Sequence, residues 1–315
     1  MRNQILYGDS LDRLRELPAG MAQTTVTSPP YFGGLRDYGV HWQIGLEETP
    51  EQYVQTLVHH LREVRRVTRP DGTLWLVIGD THNRGETAPR MGNGGQMAQR
   101  LRVPGCKLGE PLGIPWKLAE ALRADGWWLR AEVIWFKSPT CMPESCINRP
   151  TRAHETIFLF SRSRRYYYDV NAVAEPATYR EHPRRKRDPV LSAVPGAQPH
   201  KGLRLHVARD TRRLRSVWMI GTRPYLGGHR ATFPEEIPSR CIKLSTRPGD
   251  LVLDPFAGSG TTLMVAAWLG RDYMGVELNE RDYRPLIEER LRRADRRVVE
   301  LAAFRRMVEQ TRTET

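Results

Sequence analysis

"DLVLDPFAGSGTT", residues 250 to 262, is the stretch on which the fold turns. Leu251, Val252 and Leu253 are a short apolar run, the length of a buried strand. Asp254 and Pro255 end it, and Gly258 and Gly260 follow in a G-x-G turn. Thr261 then opens a helix to Leu269. Glycines let a backbone approach a ligand closely and aim helix N-terminal N–H groups at it. The next strand, RDYMGVEL (271 to 278), carries Glu277 near its end. A carboxylate there can accept both hydroxyls of a ribose. Strand, turn, helix and strand together read as a nucleotide-type site in an α/β protein. A dinucleotide site is the rival, but its third glycine is absent, its place taken by Thr261 or Thr262. With no pyrophosphate to hold, a nucleoside ligand such as S-adenosylmethionine fits better.

The same rhythm extends outward. Residues 4 to 8 (QILYG) predict a strand, and Ser10 is expected to cap a helix from Leu11 to Leu17. A strand then runs through Thr24, Thr25 and Val26 into "TSPPYFGG", 27 to 34. Tyr53, Leu57, Leu61 and Val64 recur at helical spacing within a helix from Thr49 to Arg69. Asp71-Gly72 reads as a turn before the buried strand TLWLVIGD, 73 to 80. Parallel strands with helical crossovers follow. Residues 81 to 110 hold six glycines and read as a mobile loop able to close over a bound base. A helix from Ile114 to Asp125 precedes strands at 127–136 and 155–163. With no helix between them, they predict an antiparallel pair closing the sheet. Pro234 to Leu244 and Asn279 to about Leu301 read as helices.

Charge points to a partner. The chain carries 49 Lys+Arg against 36 Asp+Glu, a net charge of +13, and most of that is arginine. Arginine grips phosphates and guanine edges in fork geometry, so a polyanion is the expected partner. The basic residues crowd where apolar periodicity fades, at Arg180, Arg184, Arg185 and Arg187 and again at Arg212 and Arg213. Residues 171–215 therefore read as a nucleic-acid-contacting region, with a solvated or disordered insert as the plainer alternative. The catalytic domain would be 1–170 with 216–308. No run of 18 apolar residues predicts a membrane span, and MRNQILYGDS lacks the apolar core of a signal peptide. Four cysteines without a CxxC pair predict reduced thiols, no metal, and a cytoplasmic protein.

The corner in "TSPPYFGG" gains its meaning from company. Two prolines remove two backbone donors and cannot extend a strand. Alone, S-P-P-Y is an ordinary tight turn. Here Ser28-Pro29-Pro30-Tyr31 comes early and Phe256-Ala257-Gly258-Ser259-Gly260 comes late. Gly8-Asp9-Ser10, LWLVIGD, RPTRAHETIFLFSRS and SVWMIGTRPYLGGHRATFPEE accompany them, the last with Trp218, His229, Phe233 and Pro234. In this order the motifs resemble the amino-methylating DNA methyltransferases of permuted (beta-class) arrangement, over residues 4 to 170 and 216 to 290.

The resemblance implies a Rossmann-like S-adenosylmethionine-dependent methyltransferase fold, mostly parallel with an antiparallel terminal strand pair. The late segment would supply the first two strands and the cofactor loop. The early one would supply the strand bearing Asp9 and Ser10, which meet adenine, and the strand ending in the catalytic corner. Thr27, Phe233, Pro234, Asp254, Phe256, Gly258, Gly260, Thr261, Thr262 and Glu277 complete the implied cofactor site. The Ser28 hydroxyl and the Pro29 carbonyl would accept hydrogen bonds from the exocyclic amine of a flipped base. Pro30 would stiffen the corner, Tyr31 would stack on the base, and Asp80 would stand as a carboxylate near the amine. In this family S-P-P-Y usually accompanies cytosine N4 and D-P-P-Y adenine N6, which leaves adenine as the alternative. Arg36 and Asp37 would line the pocket, while His154 and Glu155 read as structural. Double-stranded DNA is the implied partner of a nucleoid-associated prokaryotic enzyme, with a cognate restriction endonuclease and a homodimer as further candidates. An RNA or glutamine-amide methyltransferase would carry N-P-P-Y in unpermuted order. A DNA-binding protein with a decayed site would not keep Ser28, Tyr31, Gly258, Gly260 and Glu277 together.

Overall fold

Among the described residues eight strands join into one sheet, in which two neighbouring parallel strands come from segments more than 200 residues apart, as the pairing of Thr24 with Val252 shows. The computed structural model describes residues 2–33, 43–83, 103–137, 147–176, 211–222 and 233–295. The first half holds β1 (Gln4–Tyr7), α1 (Ser10–Glu16), β2 (Ala22–Thr27), α2 (Pro50–Val67), β3 (Thr68–Ile78), α3 (Ile114–Ala124), β4 (Trp128–Phe136) and β5 (His154–Ser161). Then come β6 (Glu175–Pro176), β7 (Thr211–Arg212), β8 (Val217–Met219), α4 (Glu236–Ser245), β9 (Leu251–Asp254), α5 (Thr261–Trp268) and β10 (Asp272–Glu277). A last helix, α6, occupies 280 to 295.

The sheet order is β1-β10-β9-β2-β3-β5-β4-β8. Strands from β1 through β3 pair in parallel, and β5 runs antiparallel to both β3 and β4. This is a mostly parallel α/β sheet. Its central strands β2 and β9 are buried along their whole length because helices cover both faces. Leu74, Leu76 and Ile78 of β3 belong to the core formed with α1, α2 and α3. Trp75 turns the other way, and its indole N–H donates to Ser245 of α4 at 2.8 Å. α2 starts from a capping box in which Thr49 and Gln52 satisfy each other's backbone N–H groups. Tyr53, Leu57, Leu61 and Val64 are all buried on its inner face.

Three details differ from the sequence reading. Asp9, not Ser10, caps α1: its carboxylate accepts the N–H groups of Leu11 (2.9 Å) and Asp12 (3.2 Å). Asp71 and Gly72 lie inside β3, where the register against β2 slips between Ala22 and Thr24. The expected turn is thus absorbed as an irregularity in a longer strand. The antiparallel pair does not close the sheet, because β8 adds in parallel outside β4. No helix among the described residues is long and apolar enough to cross a membrane.

The chain divides into two units, Met1–Asp169 with Ser216–Thr315, and Val170–Arg215. Among the described residues of the second, β6 pairs antiparallel with β7. Glu175 receives Arg212 at 3.0 Å and Arg215 at 3.3 Å.

Candidate active site

The turn after β9 is built from glycine backbone and a buried carboxylate. Gly260 caps α5 with φ of 80°, a left-handed conformation that costs a side-chain-bearing residue. A Cβ there would also lie 3.2 Å from Ile287 of α6. Glu277, at the end of β10, reaches across the turn. Its carboxylate accepts the Gly258 N–H at 2.7 Å and the Asn279 N–H at 3.0 Å. Burial pushes its pKa up to about 7 against those stabilising bonds. A carboxylate has about four acceptor positions, so two remain for ligand hydroxyls. The Ser259 hydroxyl is buried in the same turn without a hydrogen-bond partner among the described residues. A buried polar atom left unpaired is costly, which marks the turn as shaped for a polar ligand.

Thr27, Asp254 and Thr262 brace the joint between the central strands. Thr27 is fully buried and donates to Asp254 at 2.6 Å. Asp254, 1% exposed, also accepts the Phe256 N–H at 3.1 Å. Burial raises its pKa to about 6. Thr262 donates to the Val26 carbonyl at 3.2 Å. Thr261 accepts from Arg290, a buried arginine of α6. All four side chains, expected as cofactor contacts, are buried: Thr27, Asp254 and Thr262 tie the β9 side to β2, and Thr261 ties α5 to α6.

The corner after β2 is built to accept. Pro29 and Pro30 have no N–H to give. Tyr53 of α2 donates its hydroxyl to the Pro30 carbonyl at 2.8 Å and packs its ring 5.5 Å from Phe32. The Pro29 carbonyl accepts no hydrogen bond among the described residues. Ser28 donates to the Tyr31 hydroxyl at 3.4 Å, and Tyr31 donates to Glu155 of β5 at 2.7 Å. Lys137 pairs with the other oxygen of Glu155. Tyr31 reaches β5 by crossing Gly79, where a Cβ would stand 2.7 Å from the ring.

Other expected residues take different places. Asp80 closes the N-terminus of α3: its two oxygens accept the N–H groups of Gly113 (3.1 Å) and Ile114 (3.0 Å), with Arg152 at 3.7 Å. Its place at the end of β3 makes it a helix cap, not a free carboxylate. Ser10 is buried at the start of α1. Phe233 and Pro234 lead into α4, and the Pro234 carbonyl accepts the Ile237 N–H at 3.0 Å. The base of the glycine-rich stretch is pinned: buried Asn83 bonds Val103, Cys106, Gly109 and Glu110. Residues 84–102, Arg36, Asp37, His229, Arg180, Arg184, Arg185 and Arg187 lie outside the described residues. Arg212 is tied to Glu175, while Arg213 is exposed. Gly79, Tyr53, Lys137 and Glu155 were not expected in the site. Glu155 stood inside a quoted motif, but nothing local distinguishes a strand carboxylate that reaches a tyrosine 124 residues away.

Comparison with known proteins bears on the family and the fold. The sequence profile of a DNA methylase family, the N6/N4 methyltransferases, matches residues 22–289. Type II methyltransferase M.XycI of Xanthomonas campestris pv. cyanopsidis is 43% identical over 309 residues, covering 96% of this chain and 92% of that protein. TTHA0409 of Thermus thermophilus, solved in complex with S-adenosyl-L-methionine, is 26% identical with a TM-score of 0.56, covering 93% of this chain and 94% of that one. PvuII DNA methyltransferase (cytosine-N4-specific) shares the fold at a TM-score of 0.61 and 20% identity, covering 92% of this chain and 86% of that one.

Proposed function

Because this chain belongs to the N6/N4 DNA methylase family, we propose that it methylates the exocyclic N4 of cytosine in double-stranded DNA, with S-adenosylmethionine as methyl donor. The observation that carries the reading is the joint between β2 and β9. It sets an acceptor corner beside a glycine turn that holds a buried carboxylate, clamped by the Thr27–Asp254 bond.

The residues present suit that donor. The carboxylate of Glu277 would accept its ribose hydroxyls, and the turn from Phe256 to Gly260 would admit it closely. Asp9 and Ser10 follow β1, which pairs with β10 so that Tyr7 lies opposite Glu277. They would border the adenine, and Phe233 and Pro234 would flank the remainder. When bound, the sulfonium supplies an electrophilic methyl group. The protein's own task is to prepare the amine, whose lone pair is delocalised into the ring. Hydrogen bonds from the amine to the Ser28 hydroxyl oxygen and the Pro29 carbonyl pull the nitrogen toward tetrahedral geometry and localise that lone pair. Positioning and polarisation then serve a direct transfer with no covalent enzyme intermediate, in which the amine nitrogen gains the methyl group and releases one proton to solvent. The base must leave the duplex to reach the corner, at a cost of a few kcal/mol. The Tyr31 ring would contribute stacking on it.

Ser28 in the place of an aspartate favours cytosine, and adenine N6 is the second reading. The catalytic motif preceding the cofactor motif is the permuted, beta-class order. The arginines of 171–215 would read and grip the target, with Arg213 exposed for it. A companion endonuclease and a homodimer belong to the same picture. The deciding experiment is mass spectrometry of nucleosides from DNA treated with the protein and S-adenosylmethionine. N4-methylcytosine is the expected product. N6-methyladenine would transfer the assignment to the second reading, and neither product would refute both.

A further inference from the structure

Behind the Ser28 corner stands a directed chain of hydrogen bonds. Ser28 donates to Tyr31 at 3.4 Å, Tyr31 donates to Glu155 at 2.7 Å, and Lys137 donates to Glu155 from the other side. Resting on the reading that Ser28 accepts the substrate amine, we propose that Glu155, acting through the Tyr31 hydroxyl, turns the Ser28 hydroxyl so that its lone pairs face that amine.

The need for such a device follows from the chemistry of a hydroxyl. It has one proton and two lone pairs, and the proton rotates to whichever acceptor is best. A serine whose proton points at the substrate meets an N–H donor with a donor of its own. The amine is then not polarised. An aspartate, acceptor on every side, would not face this problem. The chain removes the ambiguity by directing the serine proton backward. The Tyr31 oxygen can receive it because its own proton is already committed to Glu155. Burial first, and then the Glu155 charge, raise the Tyr31 pKa well above its ordinary value, so the phenol remains a donor. Glu155 can only accept while ionised, and Lys137 holds its other oxygen.

The fold sets this up through register. On β4 and β5, Trp135 lies opposite Glu155, and on β3 and β5, Ile78 lies opposite Thr156. Glu155 is therefore one step past the end of the β3 ladder, level with Gly79. Only a residue without a side chain at Gly79 lets the Tyr31 ring cross β3 to reach it. Glu155 and Lys137 retain 18% and 25% side-chain exposure, so the pair does not serve merely to fill a core. Glu155 touches no reacting atom, and it is a positioning residue.

The test compares Ser28→Ala, Tyr31→Phe, Glu155→Ala and the Tyr31→Phe/Glu155→Ala double variant in the full chain. It reads kcat, the cofactor Kd and the KM for DNA. Tyr31→Phe keeps the ring that stacking requires and deletes only the hydroxyl. Both single variants should lose about 10- to 100-fold in kcat, the scale for residues that orient a reacting group. Cofactor Kd and KM should stay within about threefold. The double variant should be no worse than either single one, since both break the same chain. Losses that multiply, or a Tyr31→Phe or Glu155→Ala enzyme within about twofold of wild type while Ser28→Ala is inactive, would overturn the proposal and leave the methyltransferase reading standing. An active Ser28→Ala would sink both. Should Glu155→Ala fail to fold, Tyr31→Phe alone decides: full turnover refutes the chain, and reduced kcat with unchanged KM supports it.

Discussion

The turn after β9 and the corner after β2 end neighbouring strands of one sheet, yet they are made of opposite materials. The turn is glycine, helix N-terminus and buried carboxylate, and Glu277 holds the Gly258 N–H with acceptor positions to spare. The corner is proline, serine and tyrosine, stripped of N–H groups and lined with oxygens. A ligand with hydroxyls to donate suits the first, and an amine suits the second. The difference shows that sheet topology fixes where two reactants meet, while backbone donors and acceptors fix which reactant goes where. A sheet that parallels its strands places both loops at one edge without further instruction.

Breaking the corner alone should have the largest effect. Ser28→Ala removes the side-chain acceptor, and we expect kcat to fall about 100- to 1,000-fold, the cost of losing one preorganised polar partner of a transition state. Cofactor binding, measured by calorimetry, should be unchanged, because the turn is intact. Loss of both together would mean that the two regions are not separable. The converse variant is Glu277→Ala. It should weaken the cofactor about 10- to 100-fold, through two lost charge-assisted hydrogen bonds. At saturating cofactor most of the turnover should return.

Cutting the clamp tests the joint itself. Thr27→Val keeps the shape of the side chain and deletes the 2.6 Å bond to Asp254. A buried acceptor that loses a donor costs about 1–3 kcal/mol, which thermal or denaturant unfolding would register. Unchanged stability would show that the Phe256 N–H holds Asp254 unaided.

A gentler perturbation is pH. Burial holds the Glu277 pKa up at about 7 in the ligand-free protein. Ribose hydroxyls donate best to the ionised carboxylate, so binding below that pH must release a proton. Cofactor affinity should therefore fall as pH drops below about 7, by at most about tenfold per unit, and flatten above it. Calorimetry in buffers of different ionisation enthalpy counts the proton directly. The smallest effect belongs to Tyr53→Phe, which deletes the bond to the Pro30 carbonyl. About 1 kcal/mol of stability should go, with kcat reduced less than in Ser28→Ala.

Much of this architecture could be read from local signals. Apolar runs with helical crossovers announced the parallel strands, and G-x-G followed by Glu277 announced the turn. Long-range partnerships were not readable in the same way. Asp254 and Thr27 looked like ligand contacts because their motifs adjoin the site. Only the pairing of β9 with β2 shows that the two residues face each other and are sealed. Asp80 sits after a strand, as a functional carboxylate would, but α3 begins 34 residues later and claims it. β8 has three residues and no periodicity to reveal it, and its place depends wholly on the free edge of β4. Glu155 was legible as a residue and illegible as a partner, since its reach depends on the absent side chain of Gly79.

The Thr27–Asp254 bond spans 227 residues of chain, and that distance has a cost in time. At ribosomal rates of about 5–20 residues per second, roughly 10 to 45 seconds separate the synthesis of the two residues. Throughout that interval β2 has no β9 to pair with, and one edge of a wholly buried strand stays open. Contacts of such sequence separation form late and slow folding. A nascent chain can thus carry the whole S-P-P-Y corner and still be inert, because its other half has not yet been made.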